Sequence, residues 1–192
     1  MQQIIDFILE VEKLKGVTRK TRPLGLDRYE NSAEHSWQLA LFAISLGRFA
    51  ESPVDMNRVV RMLLVHDIGE IDTGDTIVFA ENGWADRKAA EQAAVKRIFG
   101  MLAEDQAADF LALWQEFDRA ETAEARFAHA VDRAMPVLLN LANEGQSWRE
   151  NGISYERVVH RIRPPIQAGC PELWNYLEVR LEEARNRNLF GA

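Results

Sequence analysis

Cysteine is nearly missing from this chain: Cys170 stands alone, so no disulfide can form within it. That suits a protein of the reducing cytoplasm. Long apolar runs are missing as well. The N-terminal stretch sets Asp6, Glu10 and Glu12 among its hydrophobic residues, which predicts neither a signal peptide nor a membrane span. No segment alternates apolar and polar residues for long enough to form a sheet. Positive charge is in short supply, with 23 Lys and Arg against 30 Asp and Glu and a net charge of -7. Such a balance disfavours a nucleic-acid polymer as partner and points to a small molecule. Histidine is scarce too.

What is present is helical periodicity. Helices are predicted near 2–15, 32–50, 55–67, 86–101, 104–119, 122–143, 154–163 and 171–186. Ser52-Pro53, the loop from Gly69 to Trp84, Asn151-Gly152 and Pro164-Pro165 separate them. With 192 residues, no internal repeat and no linker, the expectation is one all-α domain over 1–192. Its core would span about 30–135, followed by C-terminal helices at about 154–186. Trp84, Trp114, Trp148 and Trp174 are scattered and are expected to pack helices. Cys170, between Gly169 and Pro171 with no histidine nearby, is not expected to be a nucleophile.

The densest chemical information is the doublet His66-Asp67, with His35 upstream and Asp132 far downstream. Imidazole and carboxylate groups from separate segments can be aimed at one ion from different directions, which is how a fold builds a divalent-metal site. Adjacent helical residues point about 100° apart, so both members of a doublet reach one ion only at a helix end. Val59, Val60, Met62, Leu63 and Leu64 form the apolar face of a helix starting near Asp55, which puts the doublet at its last turn; Gly69 supplies the stop. His35 falls in the first turn of a helix capped by Asn31 with Glu34 three residues on. Trp37, Ala40, Leu41, Ile44 and Leu46 continue its apolar stripe. Asp132 lies inside the longest helix, among Phe127, Ala130, Val131, Ala134, Val137, Leu138 and Leu141. Pro136 clashes with the carbonyl of Asp132 and predicts a bend there. A surface aspartate paired with Arg133 or Arg126 is the alternative reading.

The segments Glu34-His35-Ser36, His66-Asp67-Ile68-Gly69-Glu70 and Val131-Asp132-Arg133 resemble the ordered signature of the HD-domain metal-dependent phosphohydrolases. The run Glu70-Ile71-Asp72-Thr73-Gly74-Asp75 is similar to the branch containing bacterial 5'-deoxynucleotidases and their eukaryotic relatives. The resemblance covers roughly residues 1–185. It implies an HD-domain helical bundle in which His35, His66, Asp67 and Asp132 hold one divalent cation: manganese, cobalt, nickel, iron, zinc or magnesium.

Glu70, three residues past Asp67, is placed to orient a water and take its proton, the role the resemblance implies. The bland alternative is a solvated carboxylate. Asp75 would help place the leaving oxygen or hold a basic partner, unless it merely caps a turn. Asp72 is expected to face solvent. Lys13, Lys15, Arg19, Lys20, Arg22 and Arg28 cluster within sixteen residues of this acidic chain, and phosphate recognition needs such donors. Arg19 best matches the family's substrate-contacting arginine. Lys20 follows it where the bacterial nucleotidases carry a tryptophan, which removes a stacking surface. His129 is the one histidine between Asp67 and Asp132 and does not complete a second metal site; His160 has no partner motif.

The expected activity is phosphomonoester hydrolysis of nucleoside 5'-monophosphates, with water attacking phosphorus in line and Arg19 neutralising the phosphoryl oxygens. Alternatives are an HD oxygenase with a diiron centre and a non-catalytic, metal-stabilised regulatory or interaction protein. A homodimer is expected, because apolar residues are spread over more faces than one core covers, including Leu173, Trp174, Tyr176, Leu177 and Val179.

Overall fold

The computed structural model of the chain describes residues 1–76, 79 and 84–191, the side chains of Trp84 and Ala85 excepted. The packing expected of Trp84 lies outside the described residues. The elements are α1 (Gln2–Val11), a 3-10 turn (Glu12–Gly16), α2 (Ser32–Leu46), α3 (Met56–Val65), α4 (Glu70–Thr73), α5 (Trp84–Phe99), α6 (Glu104–Arg119), α7 (Ala123–Ala142), α8 (Gln146–Glu150), α9 (Tyr155–Gly169) and α10 (Pro171–Asn186). Among the described residues the extended pairing is an isolated antiparallel bridge between Thr18 and Asn31. The all-α expectation holds.

Helix α7 is the axis of the fold. Phe127, Ala128, Ala130, Val131 and Ala134 have no exposed surface. Helices α2, α3 and α6 pack on α7, as do α9 and α10. Replacing a fully buried phenylalanine such as Phe127 by alanine would cost about 3–5 kcal/mol. Side-chain caps set where these helices begin. Thr122 Oγ1 accepts from Ala125 N at the start of α7, and Asp55 Oδ1 accepts from Asn57 N and Arg58 N at the start of α3. Helix α7 runs uninterrupted through Pro136.

Two expectations need correction. Pro164-Pro165 does not end a helix, because α9 continues through both to Gly169. Each proline removes a hydrogen bond to the carbonyl four residues back, at His160 and Arg161. Both of those residues are exposed, so water can reach their carbonyls, while buried Ile162 and Ile166 keep α9 against α7. The stripe expected on α2 is also misplaced. Leu39, Ala40 and Ala43 face the core, whereas Trp37, Leu41 and Ile44 are exposed at 62%, 48% and 57%. Leu64 of α3 is likewise exposed beside its buried neighbours Leu63 and Val65. No helix among the described residues is long and apolar enough to cross a membrane.

Candidate metal centre and catalytic pocket

His35 is carried by the first turn of α2. The capping box is present as expected: Asn31 Oδ1 accepts from Glu34 N at 2.9 Å, and Glu34 Oε1 accepts from Asn31 N at 2.8 Å. This cap fixes the helix start and sinks His35 completely. His66 is the C-cap of α3 and Asp67 follows in the turn leading to α4. Gly69 acts here differently from the expected left-handed stop. Its φ of -61° is right-handed, and what it provides is room: a Cβ would sit 3.2 Å from the Glu91 carbonyl oxygen of α5. The glycine thus lets α5 close on the doublet turn. Asp132 comes from the buried face of α7.

These segments converge. Ligand atoms of His35, His66 and Asp132 lie within 4.8 Å of one another. His35 Nε2 is 3.1 Å from Asp132 Oδ1, and His66 Nε2 is 3.7 Å from the same oxygen. Donors around one ion at about 2.1 Å stand roughly 3.0–3.4 Å apart when adjacent, so this spacing fits a cation. Nδ1 of His66 donates to the Leu63 carbonyl at 2.8 Å, which leaves Nε2 as the free lone pair, buried and without a hydrogen-bond partner. Asp67 stands outside that group of three, with Oδ1 3.1 Å from His66 Nε2 and Oδ2 accepting from Arg19 Nη1 at 3.1 Å.

Electrostatics make the same demand for positive charge. Burial opposes a charged His66, yet Asp67 and Asp132 outweigh it and push the imidazole up to about 10. Burial would raise Asp132, but Arg133, His35 and His66 hold it well below its ordinary value. A divalent cation supplies the charge those carboxylates otherwise draw from protons.

Above the cluster opens a cavity of about 400 Å³ whose walls include Arg19, His66, Asp67, Glu70, Asp75 and Asp132. Glu70 Oε2 accepts from Ser32 Oγ at 2.7 Å, which aims the carboxyl. Burial, then Asp67 and Asp75, push Glu70 up to about 9. Asp75 is raised by burial and held back by Arg19, whose Nη1 is 3.7 Å away. Arg19 itself is buried among carboxylates, its Nε 3.3 Å from Glu30 Oε2. Burial works against its charge, but Asp67 and Asp75 more than compensate and raise its proton affinity.

The remaining basic cluster does not converge on the site. Lys13 pairs with Glu10, Lys15 with Glu12, Arg28 with Glu34, and Arg22 with Asp27 and Glu150; of the six, Arg19 and Lys20 line the cavity. Asp72, exposed as expected, pairs with Arg97. His129 is committed elsewhere, its ring stacked on Phe117 with centroids 4.2 Å apart and its Nε2 donating to the Phe117 carbonyl at 2.7 Å. His160 is exposed.

Sequence patterning missed several residues that hold the site. Glu30, 2% exposed, accepts from Thr21 Oγ1 and lies 3.6 Å from Nδ1 of His35. Trp114, expected only to pack, also donates Nε1–H to the His66 carbonyl at 3.1 Å and pins the doublet. Backbone bonds from Arg19 N to Glu30 O at 2.8 Å and from Ser32 N to Val17 O at 3.1 Å tie the Arg19 loop to the start of α2. Glu30 leaves no periodic signal, because its place depends on that long-range pairing.

Comparison with known proteins agrees with this geometry. The HD domain family matches residues 11–174. The chain is 30% identical over 139 residues to the 5'-deoxynucleotidase HDDC2 of Homo sapiens, covering 71% of this chain and 66% of that protein, just under two thirds of its length. Against the 5'-deoxynucleotidase HDDC2 of Bos taurus it is 28% identical over 195 residues, covering 100% and 90% respectively. A crystal structure of a predicted metal-dependent phosphohydrolase from Magnetospirillum magnetotacticum MS-1 superposes with a TM-score of 0.92 at 41% identity, covering 100% of this chain and 98% of that one. A family match that spans α2 through α9, joined to a neighbour similar along its whole length, makes this chain a member of the HD domain family.

Proposed function

We propose that the protein is a metal-dependent phosphohydrolase that releases phosphate from (deoxy)nucleoside 5'-monophosphates. The observation that carries the reading is the convergence of His35, His66 and Asp132 beside a cavity that His66 and Asp132 line together with Glu70 and Arg19. Asp67 completes the ligand set, its free approach to the ion being the oxygen beside His66 Nε2. A divalent cation there, whether manganese, cobalt, nickel, iron, zinc or magnesium, would lower the pKa of a water and draw charge from phosphoryl oxygens. The committed hydrogen bond of His129 supports one ion per chain and disfavours the diiron oxygenase.

Glu70 orients the attacking water and accepts its proton. Burial, Asp67 and Asp75 favour the protonated form of its carboxyl, and the positive charge of a cation at the site would oppose them. Asp75 steadies Arg19 and the leaving oxygen, and Arg19 faces the phosphoryl group. A purely structural ion would need no such acid-base residue beside it, which sets the non-catalytic reading aside. A tight site of this kind favours a dianionic terminal phosphate over a bulkier, less charged diester.

The nucleotide reading is supported by the names of the curated relatives. A cytoplasmic location is consistent with the free thiol of Cys170. A homodimer is supported by the exposed α2 stripe of Trp37, Leu41 and Ile44; on α10, Leu173, Trp174 and Leu177 are buried within the chain and leave Tyr176 and Val179 outside. The decisive test is a phosphate-release screen over nucleotides, sugar phosphates and phosphonates with several divalent cations. Release fastest from nucleoside 5'-monophosphates is expected; release confined to phosphonates or sugar phosphates would overturn the substrate assignment.

A further inference from the structure

Five cationic side chains line the cavity: Arg19, Lys20, Arg87, Lys88 and Arg133. Most are already matched with an acid. Arg19 stands 3.3, 3.1 and 3.7 Å from carboxylate oxygens of Glu30, Asp67 and Asp75. Lys88 Nζ is 2.8 Å from Asp118, and Arg133 Nη1 is 3.6 Å from Asp132. Lys20 is exposed, whereas Arg87 is half-buried; its Nε, like that of Arg19, is buried without a hydrogen-bond partner, but no carboxylate among the described residues stands beside it as Glu30 stands 3.3 Å from the Arg19 Nε. A buried guanidinium N–H without an acceptor is costly, and an arriving anion would relieve that cost.

Position strengthens the case. Arg87 lies one helical turn before Glu91 on α5, and the backbone of Glu91 is pressed against Gly69 in the doublet turn. That close approach fixes α5, and Arg87 with it, relative to His66 and Asp67. Charge balance points the same way. Asp67, Glu70, Asp75, Glu91, Asp118 and Asp132 share the cavity walls, so a phosphate dianion entering there needs a cation whose hydrogen bonds are not already taken.

We propose that Arg87 is a substrate-binding residue that contacts the phosphoryl group from the α5 wall, in addition to Arg19, whose charge also balances the acidic cluster around the metal centre. A guanidinium serves because it offers a planar pair of donors to two phosphoryl oxygens. The assignment rests on the phosphomonoester reading for its substrate, but not for its anion. Neither the sequence pattern nor the resemblance singled out this residue.

The test uses metal-loaded wild type and the variants Arg87→Ala, Arg87→Gln and Arg87→Lys, each checked for fold by circular dichroism. Two quantities are measured: affinity for inorganic phosphate by calorimetry, and KM and kcat for phosphate release from a nucleoside 5'-monophosphate. Arg87→Ala and Arg87→Gln should weaken phosphate binding and raise KM by about 10- to 100-fold, the loss expected of one charge-assisted hydrogen bond. The kcat should change by only a few-fold, since the contact exists before and during the reaction. Arg87→Lys should recover part of the affinity. Unchanged phosphate affinity in any folded Arg87→Ala or Arg87→Gln protein would overturn the proposal. Wild type that binds phosphate but hydrolyses no monoester would instead defeat the phosphomonoesterase reading, with the Arg87 assignment still decided by the phosphate titration.

Discussion

The Glu30 carboxylate lies 3.6 Å from Nδ1 of His35, while Nε2 on the other side of the same ring lies 3.1 Å from Asp132. At that distance the carboxylate is no hydrogen-bond partner, but its charge sits directly behind the ring and can help orient an imidazole that ligates a cation. Both His35 and Glu30 are almost fully buried, so solvent cannot replace that charge. Glu30→Gln should therefore weaken metal binding by about 10- to 100-fold. Competition against a chelating indicator checks this, and an affinity equal to wild type would remove Glu30 from the metal centre's support.

Glu70 is held by Ser32 Oγ at 2.7 Å in the wall of the cavity. Glu70→Gln keeps that size and should retain the metal while lowering kcat by roughly 10²–10⁴-fold, the range of a general acid-base group. Elemental analysis alongside steady-state kinetics separates the two effects. Wild-type turnover in metal-replete Glu70→Gln would take Glu70 out of the proposed chemistry.

Much of this was legible in the sequence because it depends on local pattern. The Asn31 and Glu34 cap, the helix running into His66, and the buried stripe around Asp132 are all set by spacing within one segment. Trp114 and Arg87 were not legible, because each acts on a group far away in sequence and its role appears only when helices pack; Glu30, five residues before His35, was not legible because its burial depends on the pairing of the Arg19 loop with the start of α2. Pro164-Pro165 misled for a related reason: the exposure of His160 and Arg161 decides whether their freed carbonyls are tolerated, and local sequence does not state it. On α2, Trp37, Leu41 and Ile44 repeat with helical spacing as a core face would, yet Leu39 and the small Ala40 and Ala43 face inward, where α3 and α7 pack.

The outward α2 stripe bears on assembly. Leu41→Glu puts a charge in the middle of it without touching the cavity, and if this stripe joins two copies as proposed, the variant should be a monomer at micromolar concentration where the wild type is a dimer. Light scattering reads the mass directly. A wild-type monomer would refute the homodimer, and a Leu41→Glu protein that remains dimeric would place the interface elsewhere.

Stability at acid pH should depend on Glu116, which links three helices. Arg58 Nε donates to it at 2.8 Å from α3, and Thr122 Oγ1, the cap of α7, donates at 2.7 Å. The Arg58 hydrogen bonds hold the Glu116 carboxyl below its ordinary value, against burial and with help from Thr122. A depressed folded-state pKa means the contribution is complete above the unfolded value of about 4.3 and lost as pH falls through the folded one. Glu116→Gln should thus cost about 1–3 kcal/mol at pH 7. Urea unfolding of both proteins should show that gap closing below about pH 4; a gap that stays constant with pH would show that charge plays no part in it.

The most direct measurement is phosphate release from a nucleoside 5'-monophosphate by protein stripped of metal and then titrated with a divalent cation, beside a His66→Ala variant treated alike. Activity should be absent in the stripped protein, return to saturation at one ion per chain, and fail to return in His66→Ala. Undiminished release from stripped protein, or full recovery in His66→Ala, would contradict a hydrolase built on the His35, His66, Asp67 and Asp132 centre.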